Sequence, residues 1–171
     1  MRAALTGVRR RARPGVVRIL VCILASLVAG CGMFGGPKAL KPDWRSLHIV
    51  TAVDANNNSP LAIDVVLITD RALVDGVSAL TAAQYFAARD DMRRSQPDAL
   101  LVQSLELAPG QTFEIDPKLF RAKKGWAALM FANYATPGAH RFRLQLDSKG
   151  YLAAFNAQDA RLTDSKTGAS H

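Results

Sequence analysis

The feature that most constrains this chain is the boundary between residues 30 and 31. Arg2, Arg9, Arg10, Arg11, Arg13 and Arg18 precede an apolar run from Ile19 to Ala29, and Ala29-Gly30 stand just before Cys31. A basic start, a short apolar stretch and small residues at a cut site read as a secretory leader. The run is eleven residues long, well short of the roughly twenty that a membrane-spanning helix needs. Residues 1–30 are therefore expected to be removed, and the folded domain is expected to lie entirely beyond them.

Leu27-Val28-Ala29-Gly30-Cys31 resembles the lipobox of bacterial lipoproteins. The resemblance implies a diacylglyceryl group on the Cys31 thiol, cleavage before that cysteine, and acylation of the new amine. Each buried methylene contributes roughly 0.8 kcal/mol, and two or more acyl chains give stable anchoring. Gly32, rather than Asp, at the sorting position implies an outer-membrane destination in a two-membrane bacterium. The alternatives are an ordinary secretory signal, or a signal anchor with an incidental cysteine.

Composition has to be read with that leader set aside. The whole chain carries +8, but the leader holds six of the 22 Lys and Arg and none of the 14 Asp and Glu, which leaves +2. A basic balance would suggest nucleic acid or an acidic membrane. Here most of it belongs to the leader, and no nucleic-acid partner is expected. The 141 residues from Cys31 suffice for one domain with its own core. Of the two cysteines, Cys22 leaves with the leader and Cys31 is acylated, so no thiol remains for a disulfide, a redox couple or a metal.

Residues 31–42, with Gly32, Gly35, Gly36, Pro37 and Pro42, read as a tether. From Trp44 to Val53, Leu47, Ile49, Thr51 and Val53 alternate with Ser46, His48, Val50 and Ala52, the pattern of a strand. Asp54-Ala55-Asn56-Asn57-Asn58-Ser59-Pro60 is a turn cluster, because Asn and Asp tolerate left-handed backbone. Leu61 to Thr69 reads as a strand half exposed or near an edge, because Asp64 interrupts one face. Arg71 to Gly76 breaks the pattern. A helix is predicted over about Leu80 to Arg94, capped by Thr81 and Gln84, with Leu80, Ala83, Phe86 and Ala87 as its apolar stripe.

Further strands are predicted at Leu100–Leu107 and Gln111–Ile115 around the Pro109-Gly110 turn, and at Gly125–Tyr134. Asp116 to Phe120 reads as a helical turn with Pro117 at its first position. His140–Leu146 and Tyr151–Phe155 are expected to flank a hairpin loop at Asp147-Ser148-Lys149-Gly150. Residues 43–162 are thus expected to form an all-β sandwich of about seven to eight strands with a helical insertion, followed by a disordered polar tail over 163–171. Ile63, Val65, Leu67, Leu105, Leu129, Phe131 and Leu144 are the expected core.

No catalytic set emerges. His48 lies on a strand, His140 at a strand start and His171 at the end of the sequence, with no helical pairing for zinc. Asp90 and Asp91 precede two arginines and read as a solvated face. There is no Gly-x-Ser-x-Gly elbow and no phosphate-cradling glycine loop. Neither cofactor, metal nor small-molecule substrate is expected. Lys118, Arg121, Lys123 and Lys124 form a basic cluster, either a solvated loop or a contact for lipid head groups or an acidic partner. Trp44 and Trp126 are expected in the core.

The order of features resembles one family. A lipobox and tether are followed by the Asn-rich loop ending Ser59-Pro60, the strand Ile63-Asp64-Val65-Val66-Leu67-Ile68 and a helix around Thr81 to Arg89. A Leu-rich strand then ends in Leu107-Ala108-Pro109-Gly110, and Ala127 to Tyr134 is strongly apolar. This is similar to TssJ, the outer-membrane lipoprotein family of the type VI secretion system. The resemblance implies a transthyretin-like β-sandwich on the periplasmic face of the outer membrane. It also implies a non-enzymatic role: binding the periplasmic domain of the inner-membrane protein TssM, within a complex that includes TssL. The loop between the first two strands is implicated in that contact, here Asp54, Asn56, Asn57, Asn58, Ser59 and Pro60. The alternative is another envelope lipoprotein, a secretin pilotin or a small-ligand carrier.

Overall fold

The computed structural model describes residues 38–168 and 170. The expected leader, Cys31 and the tether up to Pro37 lie outside the described residues. The described residues form eight strands in two four-stranded sheets. The first sheet has the order β4-β1-β7-β8, built from β1 (Ser46–Thr51), β4 (Thr112–Ile115), β7 (Gly150–Phe155) and β8 (Ala160–Asp164). The second has the order β3-β2-β5-β6, built from β2 (Leu61–Ile68), β3 (Leu100–Leu107), β5 (Ala127–Ala132) and β6 (Arg141–Leu144). Every pairing is antiparallel except β1 with β7, where Ser46 faces Gly150 and Thr51 faces Phe155.

Alternation in β1 buries Leu47, Ile49 and Thr51 against the opposite sheet. Ile63, Val65 and Leu67 of β2 meet them from the other side, with Ala128 and Met130 of β5 and Leu144 of β6. Trp44 and Phe120 close one end of this core edge to face, with ring centroids 5.5 Å apart. Phe120 sits on α3 (Lys118–Arg121), a single turn that Asp116 starts by accepting from the Lys118 amide at 2.9 Å. All seven expected core residues pack in the interior, Leu105 only partly buried.

A second, smaller core lies on the outer face of the second sheet. Val66, Ile68, Leu129 and Phe131 are covered there by α1 (Val74–Ala79) and α2 (Ala82–Ser95). β2 therefore has both faces covered and is no edge strand. Its Asp64 is fully buried and accepts from the Tyr85 hydroxyl at 2.9 Å, while the Arg89 guanidinium lies 3.3 Å away. The capping box of Thr81 and Gln84 forms as expected. The predicted apolar stripe forms in part: Leu80 and Phe86 pack against this core, but Ala83 and Ala87 are exposed, and the buried residues of α2 are Ala82 and Tyr85. The sheet below offers a carboxylate as well as apolar surface, and the partly buried Arg89 reaches it from the same side. The segment expected to break regularity instead begins with a 3-10 turn at Arg71–Leu73, capped by Asp70, and runs into α1.

Two expected returns prove to be crossings between sheets. β3 and β4, on either side of Pro109-Gly110, lie in different sheets, as do β6 and β7. Asp147-Ser148-Lys149-Gly150 is thus no hairpin, and Ser148 is buried, donating to Asp164 at 2.6 Å. β8 extends through Thr163 and Asp164, two residues into the expected tail. At the other end, Leu40 pairs with Gly125 through two backbone bonds of 2.8 and 2.9 Å, so the last residues of the expected tether are part of the domain. Trp126 is only half buried, with Arg71 5.2 Å above its ring.

Candidate functional site

Crossing connections gather at both poles of the sandwich. At one pole lie residues 52–60, 108–111, 133–140 and 156–159, and the loop between β1 and β2 stands among them. That loop carries β1 of the first sheet into β2 of the second. Part of its length therefore serves topology.

Its backbone is unusual. Asn56, Asn57 and Asn58 all have positive φ, at 48°, 53° and 62°. Three consecutive left-handed residues make a turn of left-handed helix, which costs an ordinary L-residue roughly 1–2 kcal/mol per position. Asparagine visits this region more readily, because its short amide bonds locally. Asn58 donates its amide to Asp54 at 3.3 Å and Ser59 donates to Asn56 at 3.2 Å.

Asn56 holds the turn in place. It is 5% exposed. Its side-chain amide donates to the Pro60 carbonyl at 2.8 Å, and its side-chain oxygen accepts from the Ala135 amide at 2.8 Å. Its backbone N–H and that of Asn57 donate to Asn156 and Ala157, each at 3.1 Å. The Tyr134 hydroxyl donates to the carbonyls of Asn156 and Asp159, so the receiving loop is itself fixed. Burial, reinforced by the charge of Asp159, keeps this phenol neutral far above the usual tyrosine range.

With Asn56 committed inward, Asp54, Asn57, Asn58, Ser59 and Pro60 are exposed. Val53, expected on the buried face of β1, is instead 81% exposed beside them. The surface is thus a rigid polar rim with one apolar side chain and one carboxylate. Five of the six residues expected at the contact are available to a partner and one is a brace. Sequence reasoning missed the brace and the exposed valine. The run of three asparagines was the available signal, since left-handed backbone is where that residue type is favoured.

The histidines stand apart. His48 lies 3.9 Å from Glu114 across β1 and β4, and His140 packs on Tyr134 with its Nε2 2.9 Å from the Thr136 carbonyl oxygen. Asp90 and Asp91 face solvent beside Arg89 and Arg94. Among the described residues no three His, Cys, Asp or Glu side chains converge on a common point.

No family profile matches the chain, and no curated protein matches it by sequence. Solved structures do. The type VI secretion lipoprotein TssJ1 from Pseudomonas aeruginosa aligns with a TM-score of 0.52 at 16% identity, over 70% of this chain and 93% of that one. Lip from Serratia marcescens, a membrane-bound component of the type VI secretion system, gives 0.47 at 15% identity, over 69% and 95%. A chain of a type VI membrane complex gives 0.49 at 18% identity, over 67% and 93%. The class is therefore a two-sheet β-sandwich with a helical layer on one face. The particular fold is the one TssJ1 has.

Proposed function

We propose that this chain is a TssJ-like, non-enzymatic lipoprotein of a type VI secretion membrane complex. In this reading residues 1–30 are a cleaved leader, and Cys31 carries the acyl anchor, palmitate included, in the outer membrane. The domain faces the periplasm and holds the periplasmic domain of a TssM-like inner-membrane subunit, and through it TssL. The shared fold with TssJ1 supports the reading, as does the order of motifs along the chain.

The observation that carries it is the braced left-handed asparagine turn. Strained backbone kept rigid by its surroundings marks places where geometry is used. A loop fixed before binding also loses little entropy on binding. Asn57, Asn58, Asp54 and the exposed Val53 form the contact, while Asn56 sets its shape. A small-ligand carrier would need an open apolar interior, and Trp44, Phe120, Met130 and Phe155 fill the space between these sheets.

The test separates shape from contact. Asn57→Gly with Asn58→Gly keeps residues that accept positive φ and removes both exposed amides. The full-length variant should melt with its parent and bind the TssM-like periplasmic domain at least about tenfold more weakly, or about 1.4 kcal/mol. Unchanged binding by the folded variant would remove the loop from the interface. For the anchor, Cys31→Ser should abolish palmitate labelling, and labelling that persists would end that part of the reading.

A further inference from the structure

The two poles of the domain differ in charge. Segments 52–60, 108–111, 133–140 and 156–159, which make the loop pole, contain no Lys or Arg and carry Asp54 and Asp159. The opposite pole is made by 38–45, 69–71, 96–99, 116–126, 145–149 and 165–168, held together by Leu40 with Gly125, Asp43 with Leu146, Arg45 with Lys149, Thr69 with Ala99 and Ser165 with Gly150. Those segments carry ten Lys and Arg against five Asp.

Some of these cations are paired: Lys118 with Asp116, Lys123 with Asp98 and Lys149 with Asp43. Lys41, Arg45, Arg121 and Lys124 are exposed and form no ion pair among the described residues. Lys41, Lys118 and Arg121 rim an open cleft of about 650 Å³ with Asp43 as its one carboxylate, and a second cleft, where Arg45, Lys118 and Arg121 face Glu114 and Asp116, adjoins it. Two of the exposed large apolar side chains, Leu40 at 49% and Leu119 at 41%, stand at this same pole. Unpaired cations beside exposed leucines suit a surface that offers phosphates above and hydrocarbon below.

We propose that this basic pole seats the domain on an anionic phospholipid surface, so that the asparagine turn points away from the bilayer. This rests on the lipid-anchor reading of Cys31 for its setting. The chain enters the domain at this pole, because Leu40 is pinned to Gly125. Six residues lie between Cys31 and Lys38, and the seven steps from one to the other reach about 25 Å when fully extended. Electrostatic attraction to lipid acts over about 8 Å at physiological salt. The anchor therefore allows this pole to reach the surface, and the charge asymmetry chooses which pole arrives.

The test uses the full chain, reconstituted from detergent into vesicles with about a third phosphatidylglycerol. A fluorophore is placed through Ala122→Cys at the basic pole or Gln158→Cys at the loop pole, with a head-group quencher in the lipid. Quenching at 122 should exceed that at 158 at least about fivefold. It should fall at least about threefold in neutral vesicles, in salt near 0.5 M, and in the variant Lys41→Gln, Arg45→Gln, Arg121→Gln, Lys124→Gln. Equal quenching at both poles, or quenching at 122 indifferent to charge and salt, overturns the proposal.

Flotation with neutral vesicles at high salt reports the acyl anchor separately. Failure there, with charge-dependent flotation and quenching at low salt, sinks the anchor and leaves the basic pole standing. Flotation with neither kind of vesicle sinks both. A quadruple variant quenched like its parent but weakened toward the TssM-like domain would assign these cations to the protein interface instead.

Discussion

At the scale of single residues, the asparagine turn shows how an identical run of side chains divides its labour. Asn56 points in and makes two side-chain hydrogen bonds to backbone, while Asn57 and Asn58 are exposed. Asn56→Ala should therefore cost about 2–4 kcal/mol: two hydrogen bonds at about 1 kcal/mol each, plus the left-handed penalty of a residue with a Cβ. Asn56→Gly loses the same bonds without that penalty, so it should cost about 1 kcal/mol less. Denaturant unfolding of the two variants measures the difference. Equal losses would show that the backbone there carries no strain.

At the scale of elements, the outer helix α2 is seated by a polar contact within an apolar layer. Tyr85 stacks on Phe131 at 4.1 Å and reaches Asp64, and Arg89 lies 4.9 Å over Phe86 on its way to the same carboxylate. Removing one partner of a buried pair strands the other, so Arg89→Met should cost about 3 kcal/mol. Adding Asp64→Val and Tyr85→Phe to it should recover most of that loss, since a well-packed apolar replacement is often neutral. Thermal melts of the single and triple variants decide between a brace and a bystander. The strands themselves were legible, because Leu47, Ile49 and Thr51 alternate and Ala127 to Ala132 do not. The phase of α2 was not, because alanines at 82, 83, 87 and 88 leave its apolar side undefined. Asp64 misled for the same reason: a lone acid reads as solvent until its distant partners at 85 and 89 are known. The left-handed turn was legible in its residue type, but the inward role of its first asparagine depends on Pro60 and Ala135.

At the scale of the whole domain, all three tyrosines are buried, and burial pushes each phenol upward, Tyr151 to about 12 and Tyr85 and Tyr134 further. Groups raised in the folded state contribute stability that is complete below their unfolded value near 10 and is lost as pH rises through the folded value. Stability should thus decline from about pH 10 through about 12 and beyond. Phenolate absorbance should appear together with loss of the far-ultraviolet β signal, and tyrosines that ionise in a still folded domain would contradict this. In the first sheet, β1 sits between β4 and β7, and the other half of that sheet arrives about a hundred residues later in sequence. Contacts so distant along the chain close slowly, and here the first strand has no parallel partner until residues 150–155 have been synthesised. A nascent chain of this kind emerges with its first sheet unfinished. For a protein proposed to be threaded through a membrane before it folds, that delay is an advantage: the topology itself keeps the chain translocation-competent until its C-terminal strands cross behind it.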